Sequence, residues 1–216
     1  MAYASIDKQL AAAQLALSNA RSDGDLAGPL AAFGYDAERL ATGWALYETA
    51  AAAQQRQSRE YGEQYTASDA FTAAWEAAQA EVVRYVKIAR IALKEERGAA
   101  TKLALDGTRK RSLAGWLVQT RQFYVNAQAD AAVMAALARF GVTQEKLAAG
   151  QAQVAVVEGL AAAQKKETGE AQQTTQERDA ALEALDEWMG DFLAIARIAL
   201  EENPQWLEKM GVLASS

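Results

Sequence analysis

The chain has 216 residues, a net charge of −6, two prolines, and neither cysteine nor histidine. Without cysteine it can form no disulfide and no cysteine-ligated metal site; without histidine it lacks the usual general base and the commonest metal ligand. We therefore predict no cofactor and no bound metal, and the acidic balance disfavours nucleic acid as a partner. Helix-favouring residues, mainly Ala, Leu, Glu, Gln, Lys and Arg, dominate the chain and predict an all-α protein.

The hexapeptide Ile-Ala-Arg-Ile-Ala-Leu occurs twice, at 88–93 and 195–200, an offset of 195 − 88 = 107 residues. The same offset pairs Phe33-Gly34 with Phe140-Gly141, and residues 107 positions apart are called matched residues below. A fixed offset of this kind indicates internal duplication. We predict an antiparallel helical bundle of two tandem repeats, residues 1–107 and 108–216, each with three long helices and a short closing helix.

Two arrangements of these repeats are open. The repeats form two bundles packed against each other, which we favour, or they merge about a pseudo-twofold axis into one body of six to eight helices.

The first helix of each repeat is predicted from apolar residues spaced by three and four positions, beginning near Ser5 in repeat 1. Ser22-Asp23-Gly24-Asp25 and Gly28-Pro29 are predicted to interrupt the helix in repeat 1, because proline within a helix removes a hydrogen bond and clashes with the preceding turn. Repeat 2 has alanine at the matched position, so we expect an unbroken helix over about 111–140. Gly34 and Gly141 are expected to end these segments in a left-handed conformation.

Asp36 and Thr143 are the predicted N-caps of the second helix. Gly43 and Gly150 lie in its apolar seam, where a glycine costs roughly 1 kcal/mol relative to alanine. We therefore expect another helix to cross closely at these glycines.

Polar segments at 54–69 and 161–179 predict the end of a hairpin, with a turn between about 62 and 69 in repeat 1. Thr174-x-x-Glu177 resembles a capping box at the start of the third helix in repeat 2.

The third helix has the strongest apolar periodicity, with Phe71, Trp75, Ala78 and Val82 at steps of four and three. A short helix is predicted after it at 203–211, with Asn203 as N-cap and Gly211 as its end. Trp206 and Met210 are expected to fold back onto the bundle.

Arg90 and Arg197 are the candidate site residues, because they are matched and lie in the most apolar segment of each repeat. A guanidinium there can bind a carboxylate or phosphate with two hydrogen bonds. The structural alternative, which we favour, places the stem along the helix edge and the charged head in solvent or on a glutamate.

No catalytic motif is recognisable, and we lean towards a protein without enzymatic activity. The favoured function is a protein–protein interaction or structural module, with a protein partner or self-association. The alternative is binding of a small apolar or anionic ligand in an interhelical cavity near Arg90 and Arg197. No apolar run is long enough to span a membrane, and no secretory signal is visible, so we expect a cytoplasmic location.

Overall fold

The computed structural model describes residues 5–212; residues 1–4 and 213–216, the outer ends of the two predicted repeats, lie outside the described part. The described residues form helices and no strand, which confirms the all-α prediction. The helices in this part of the chain are α1 Ile6–Ser22, α2 Gly24–Ala32, α3 Ala37–Ala92, α4 Arg97–Lys102, α5 Leu113–Ala129, α6 Ala131–Ala138, α7 Gln144–Ala199 and α8 Trp206–Lys209.

The Phe-Gly pairs end α2 and α6 in the conformation expected of a helix C-terminus. Gly34 has φ +83° and its matched glycine has φ +73°. The N–H of Tyr35 donates to the carbonyl of Leu30 at 2.9 Å, and the matched bond joins Val142 to Leu137 at 3.3 Å. This is the bonding pattern of a glycine-capped helix end, with a buried apolar residue after the glycine.

Helix breaks fall at Asp23, within the first segment predicted to interrupt repeat 1, and at its matched residue Asp130, whereas α2 continues through Pro29 without a break. The expectation of an unbroken helix over 111–140 is therefore wrong. Both aspartates have extended backbone angles, and the Asp130 carboxylate accepts hydrogen bonds at 3.1 and 3.3 Å from backbone N–H groups that begin α6. An aspartate that caps the following helix ends the preceding one without a proline.

The helices α3 and α7 are continuous over 56 residues each, so the predicted turn between 62 and 69 is wrong. Each repeat thus has one long helix where two were predicted. The two polar segments contain no proline and are rich in Gln and Glu, which favour a solvated helix as readily as a loop. Thr174 is 3% exposed within α7, and its hydroxyl donates to the Ala171 carbonyl at 3.2 Å, so it caps no helix start.

Packing divides the chain into two compact units: unit 1 is Met1–Tyr61 with Glu170–Ser216, and unit 2 is Gly62–Gly169. Each unit therefore combines part of the first half of the chain with part of the second. This division differs from the predicted domains, 1–107 and 108–216. α3 and α7 each contribute residues to both units.

The core of unit 1 joins α1 and α2 to the end of α7 and to α8. Phe192 is fully buried, with its ring centroid 5.0 Å from that of Tyr35 and 5.2 Å from that of Trp188. Further buried side chains are Leu17, Leu26, Leu30, Leu185 and Met189. The contact between Tyr35 and Phe192 joins residues of opposite halves of the sequence.

The core of unit 2 is formed largely by the residues matched to those in the core of unit 1. Where unit 1 uses a residue of the first half of the chain, unit 2 uses the matched residue of the second half, and the reverse. Tyr85, the residue matched to Phe192, lies 6.5 Å from Tyr124 between ring centroids. Burial and a 2.7 Å hydrogen bond from its hydroxyl to Glu81 raise the pKa of Tyr85 to about 12. Both cores therefore follow one pattern of buried positions.

The closing segment of unit 1 packs as expected, although its helix, Trp206–Lys209, is shorter than the predicted 203–211. Met210 is 2% exposed, and Trp206 packs against the core of unit 1. Gly211 ends the segment with φ +75°, and its matched residue Ala104 has φ +51°. A side chain in this left-handed region costs about 1–2 kcal/mol, so the turn after α4 is imposed by its surroundings.

Candidate functional site

Arg90 binds backbone carbonyls of unit 2. Its Nε and Nη2 donate to the carbonyl of Leu105 at 3.0 and 2.6 Å, and Nη2 also donates to the carbonyl of Gly107 at 3.4 Å. Both carbonyls belong to residues between α4 and α5, so they accept no hydrogen bond within a helix. Arg90 thus fixes the connection between α4 and α5 to the end of α3.

Arg197 makes a different contact from its matched residue. Its Nη1 donates to the carbonyl of Leu193 at 3.3 Å, one turn earlier in α7. The two arginines therefore share a position in the sequence pattern but not a partner. Contact of Arg90 or Arg197 with a ligand or a protein partner stays a prediction.

A basic groove lies beside Arg90 in unit 2, lined also by Gln79 and by residues 107–111, with a volume of about 760 Å³. Within it, Arg109 donates through Nη2 to the carbonyl of Ala104. The Nε and Nη1 atoms of Arg109 are buried without a hydrogen-bond partner among the described residues. Burial, and then the neighbouring charge of Arg90, lower the pKa of Arg109 below its usual range.

An ion pair ties the closing segment of unit 1 to α1 and α2. The Nζ of Lys209 lies 2.8 Å from a carboxylate oxygen of Asp23 and 2.8 Å from one of Asp25. The side chain of Asn19 donates to the backbone carbonyl of Lys209. The hydrogen bond from Lys209 is the largest cause of the lowered pKa of Asp23.

The residues matched to Asn19, Asp23 and Lys209 form a corresponding cluster in unit 2, with alanine at the position matched to Asp25. Lys102 Nζ lies 3.3 Å from Asp130, and Asn126 donates to the carbonyl of Lys102 at 2.6 Å. In both units the lysine and the aspartate come from opposite halves of the chain. Sequence reasoning missed these clusters, although Asn, Asp and Lys are each identical at the matched positions.

Two pairs of large apolar residues are exposed at matched positions. In unit 1, Phe33 and Ile198 are 49% and 50% exposed, and both line a shallow groove of about 300 Å³. We call this pair patch A. The matched residues in unit 2, Phe140 and Ile91, are 48% and 62% exposed and are called patch B. All four belong to the motifs that revealed the 107-residue offset.

The charged residues near the two patches differ. Glu201 and Glu202 line the groove of patch A, whereas the residues matched to them are Lys94 and Glu95. Next to Phe140 in the sequence is the exposed Arg139, where the residue before Phe33 is alanine. Acidic groups therefore line the groove of patch A, whereas the sequence neighbours of the patch B residues carry charges of both signs.

Comparison of the chain with protein-family models, with curated proteins and with solved structures found no match in any of the three. Among the described helices, none combines the length and the apolar character that crossing a membrane requires.

Proposed function

We propose that the chain is a non-enzymatic protein-interaction module whose partner is a second copy of itself. The observation that carries the proposal is the exposure of two apolar pairs, patch A and patch B, at matched positions. Single exposed apolar residues are ordinary on protein surfaces. Here the exposed residues lie within the sequence motifs that the two halves share. Their side chains are about half exposed or more, so they contribute little buried apolar area to the stability of the fold.

Charge favours contact between unlike patches. Two A patches would bring Glu201 and Glu202 of one chain against the same carboxylates of the other, which costs free energy. Contact of A with B instead brings these carboxylates towards Lys94 and Arg139. Each chain carries one patch of each kind, so the contact is heterologous and extends to larger assemblies unless it closes into a ring.

Sedimentation velocity tests this function. For the wild type we expect the sedimentation coefficient to rise with protein concentration. Ile198→Glu should abolish this rise, because it places a buried charge in the contact. Val118→Glu is the matched control: Val118 is 67% exposed and lies outside both patches, so this variant should associate like the wild type. A wild type that stays monomeric at every concentration contradicts the proposal.

Charge reversal gives a second arm of the same experiment. A chain with Glu201→Lys and Glu202→Lys, and a chain with Lys94→Glu and Arg139→Glu, should each associate more weakly alone. Mixed together they should associate again, because the basic A patch of one meets the acidic B patch of the other. Equal association of the single variants and the mixture would show that contact does not join A to B.

The basic groove in unit 2 favours a second function, the binding of a small anion. Arg109 has two buried N–H-bearing atoms without a partner among the described residues, and an anion beside them would also offset the repulsion from Arg90. At constant ionic strength, we expect sulfate to raise the melting temperature of the wild type and not of Arg109→Met. Arg197→Met, the control, should keep the rise. An equal rise in all three proteins would contradict the anion site.

A further inference from the structure

An apolar groove of about 370 Å³ lies in unit 1, between α1, the later part of α7 and the residues after α8. Its floor is formed by the buried side chains of Ala13, Ala16, Met189 and Met210. The alanines are small and leave the space open. Its lining shares no residue with patch A or with the ion pair of Lys209, Asp23 and Asp25.

Unit 2 shows what fills the matched positions. Gln9 and Ala16, which line the groove in unit 1, are matched by Trp116 and Phe123. These two aromatic residues are 3% and 0% exposed and belong to the core of unit 2. The two matched positions therefore hold an indole and a phenyl ring in the core of unit 2 and line an open groove in unit 1.

We propose that this groove in unit 1 binds a neutral aromatic molecule of about the size of indole. The apolar floor supplies the main contact, since burying apolar surface contributes roughly 25 cal/mol per Å². Lys8 and Asp186 line the groove and are exposed, and they add one charge of each sign. Unit 2 has Gly115 and Gln79 at the matched positions. The opposite charges leave the groove without net charge and offer hydrogen bonds to a polar edge of the ring.

Titration with indole, followed through the backbone amide signals by NMR, tests the site. In the wild type, we expect saturable shifts at residues of the groove. The variant Gln9→Trp with Ala16→Phe carries the unit 2 side chains in unit 1. It should bind indole at least about tenfold more weakly, equivalent to about 1.4 kcal/mol. It should also melt at a higher temperature, because the added rings fill apolar space.

The reciprocal variant is the matched control. The double variant Trp116→Gln with Phe123→Ala gives unit 2 the residues that line the groove in unit 1. If it folds, it should bind indole in unit 2 as well, and amide signals of unit 2 residues should then shift in addition to those of unit 1. Should this variant unfold, the filled variant of unit 1 alone decides the matter. Absence of saturable shifts in the wild type overturns the proposal. Undiminished binding to the filled variant overturns it as well.

Discussion

Replacement of Gly43 with leucine is expected to lower the free energy of unfolding by about 3 kcal/mol, near the upper end of the cost of overpacking. Gly43 is buried within α3, and a Cβ placed there would meet the ring of Trp188, with Cζ3 at 2.5 Å and Cζ2 at 2.7 Å. The half-buried Trp188 ring also contacts the rings of Tyr35 and Phe192, with centroids 5.6 and 5.2 Å away, so displacing it disturbs these contacts. Urea unfolding followed by circular dichroism measures the change.

Gly62 is the control for Gly43, because it lies in the same helix with nothing within 4 Å of the position of a Cβ. Gly62→Ala should stabilise the protein by roughly 1 kcal/mol through helix propensity alone. An unchanged transition in Gly43→Leu would contradict the close contact. The sequence indicated a close approach at Gly43, but what approaches is an aromatic ring; at the matched Gly150 it is the phenol of Tyr124.

Phe192→Ala is expected to destabilise the protein by about 3–5 kcal/mol, the usual cost of truncating a fully buried phenylalanine. Phe192 is 0% exposed and contacts the rings of both Tyr35 and Trp188. Truncation leaves a cavity between these rings, and the cost depends on how far they close over it. Thermal and urea unfolding of the variant and the wild type measure the loss.

Phe33→Ala is the control for Phe192→Ala, since Phe33 is 49% exposed. Its loss should change the free energy of unfolding by about 0.5 kcal/mol or less, as for an ordinary surface residue. Similar losses in both variants would contradict the assignment of Phe192 to the core and of Phe33 to an interaction surface.

Local features were predictable from sequence, and the pairing of distant segments was not. The caps at Gly34 and Asp36 depend on a few neighbouring residues, and both are present: Asp36 accepts a hydrogen bond from the N–H of Arg39 at 2.9 Å. The continuity of α3 was missed because its middle is polar, and a polar run is typical of a loop as well as of a solvated helix.

The packing of the first half of the chain against the second, within each unit, could not be predicted from the sequence for a different reason. Because the halves share one apolar pattern, the sequence allows Tyr35 to pack against Tyr85 of its own half or against the matched Phe192 of the other half. Periodicity is the same in both arrangements and cannot decide between them. Only the three-dimensional packing distinguishes them.

The candidate sites were predictable to a smaller extent. Arg90 and Arg197 stood out as charges in an apolar segment, but the fold gives Arg90 backbone carbonyls to bind. The residues of patch A belong to motifs that occur twice in the sequence. The repetition of these motifs does not indicate that the side chain of Phe33 is exposed. The apolar groove of unit 1 depends on a difference between matched residues, Ala16 in unit 1 and Phe123 in unit 2. A search for repeats detects identical residues and does not reveal such differences.

The exchanged packing is tested most directly by nuclear Overhauser contacts between aromatic protons in a selectively labelled, full-length sample. The ring centroids of Tyr35 and Phe192 are 5.0 Å apart, close enough for a strong cross-peak. We expect a cross-peak between Tyr35 and Phe192, and a second between Tyr85 and Tyr124. A cross-peak between Tyr35 and Tyr85 in its place would show that each half folds on itself, and would contradict the exchanged units.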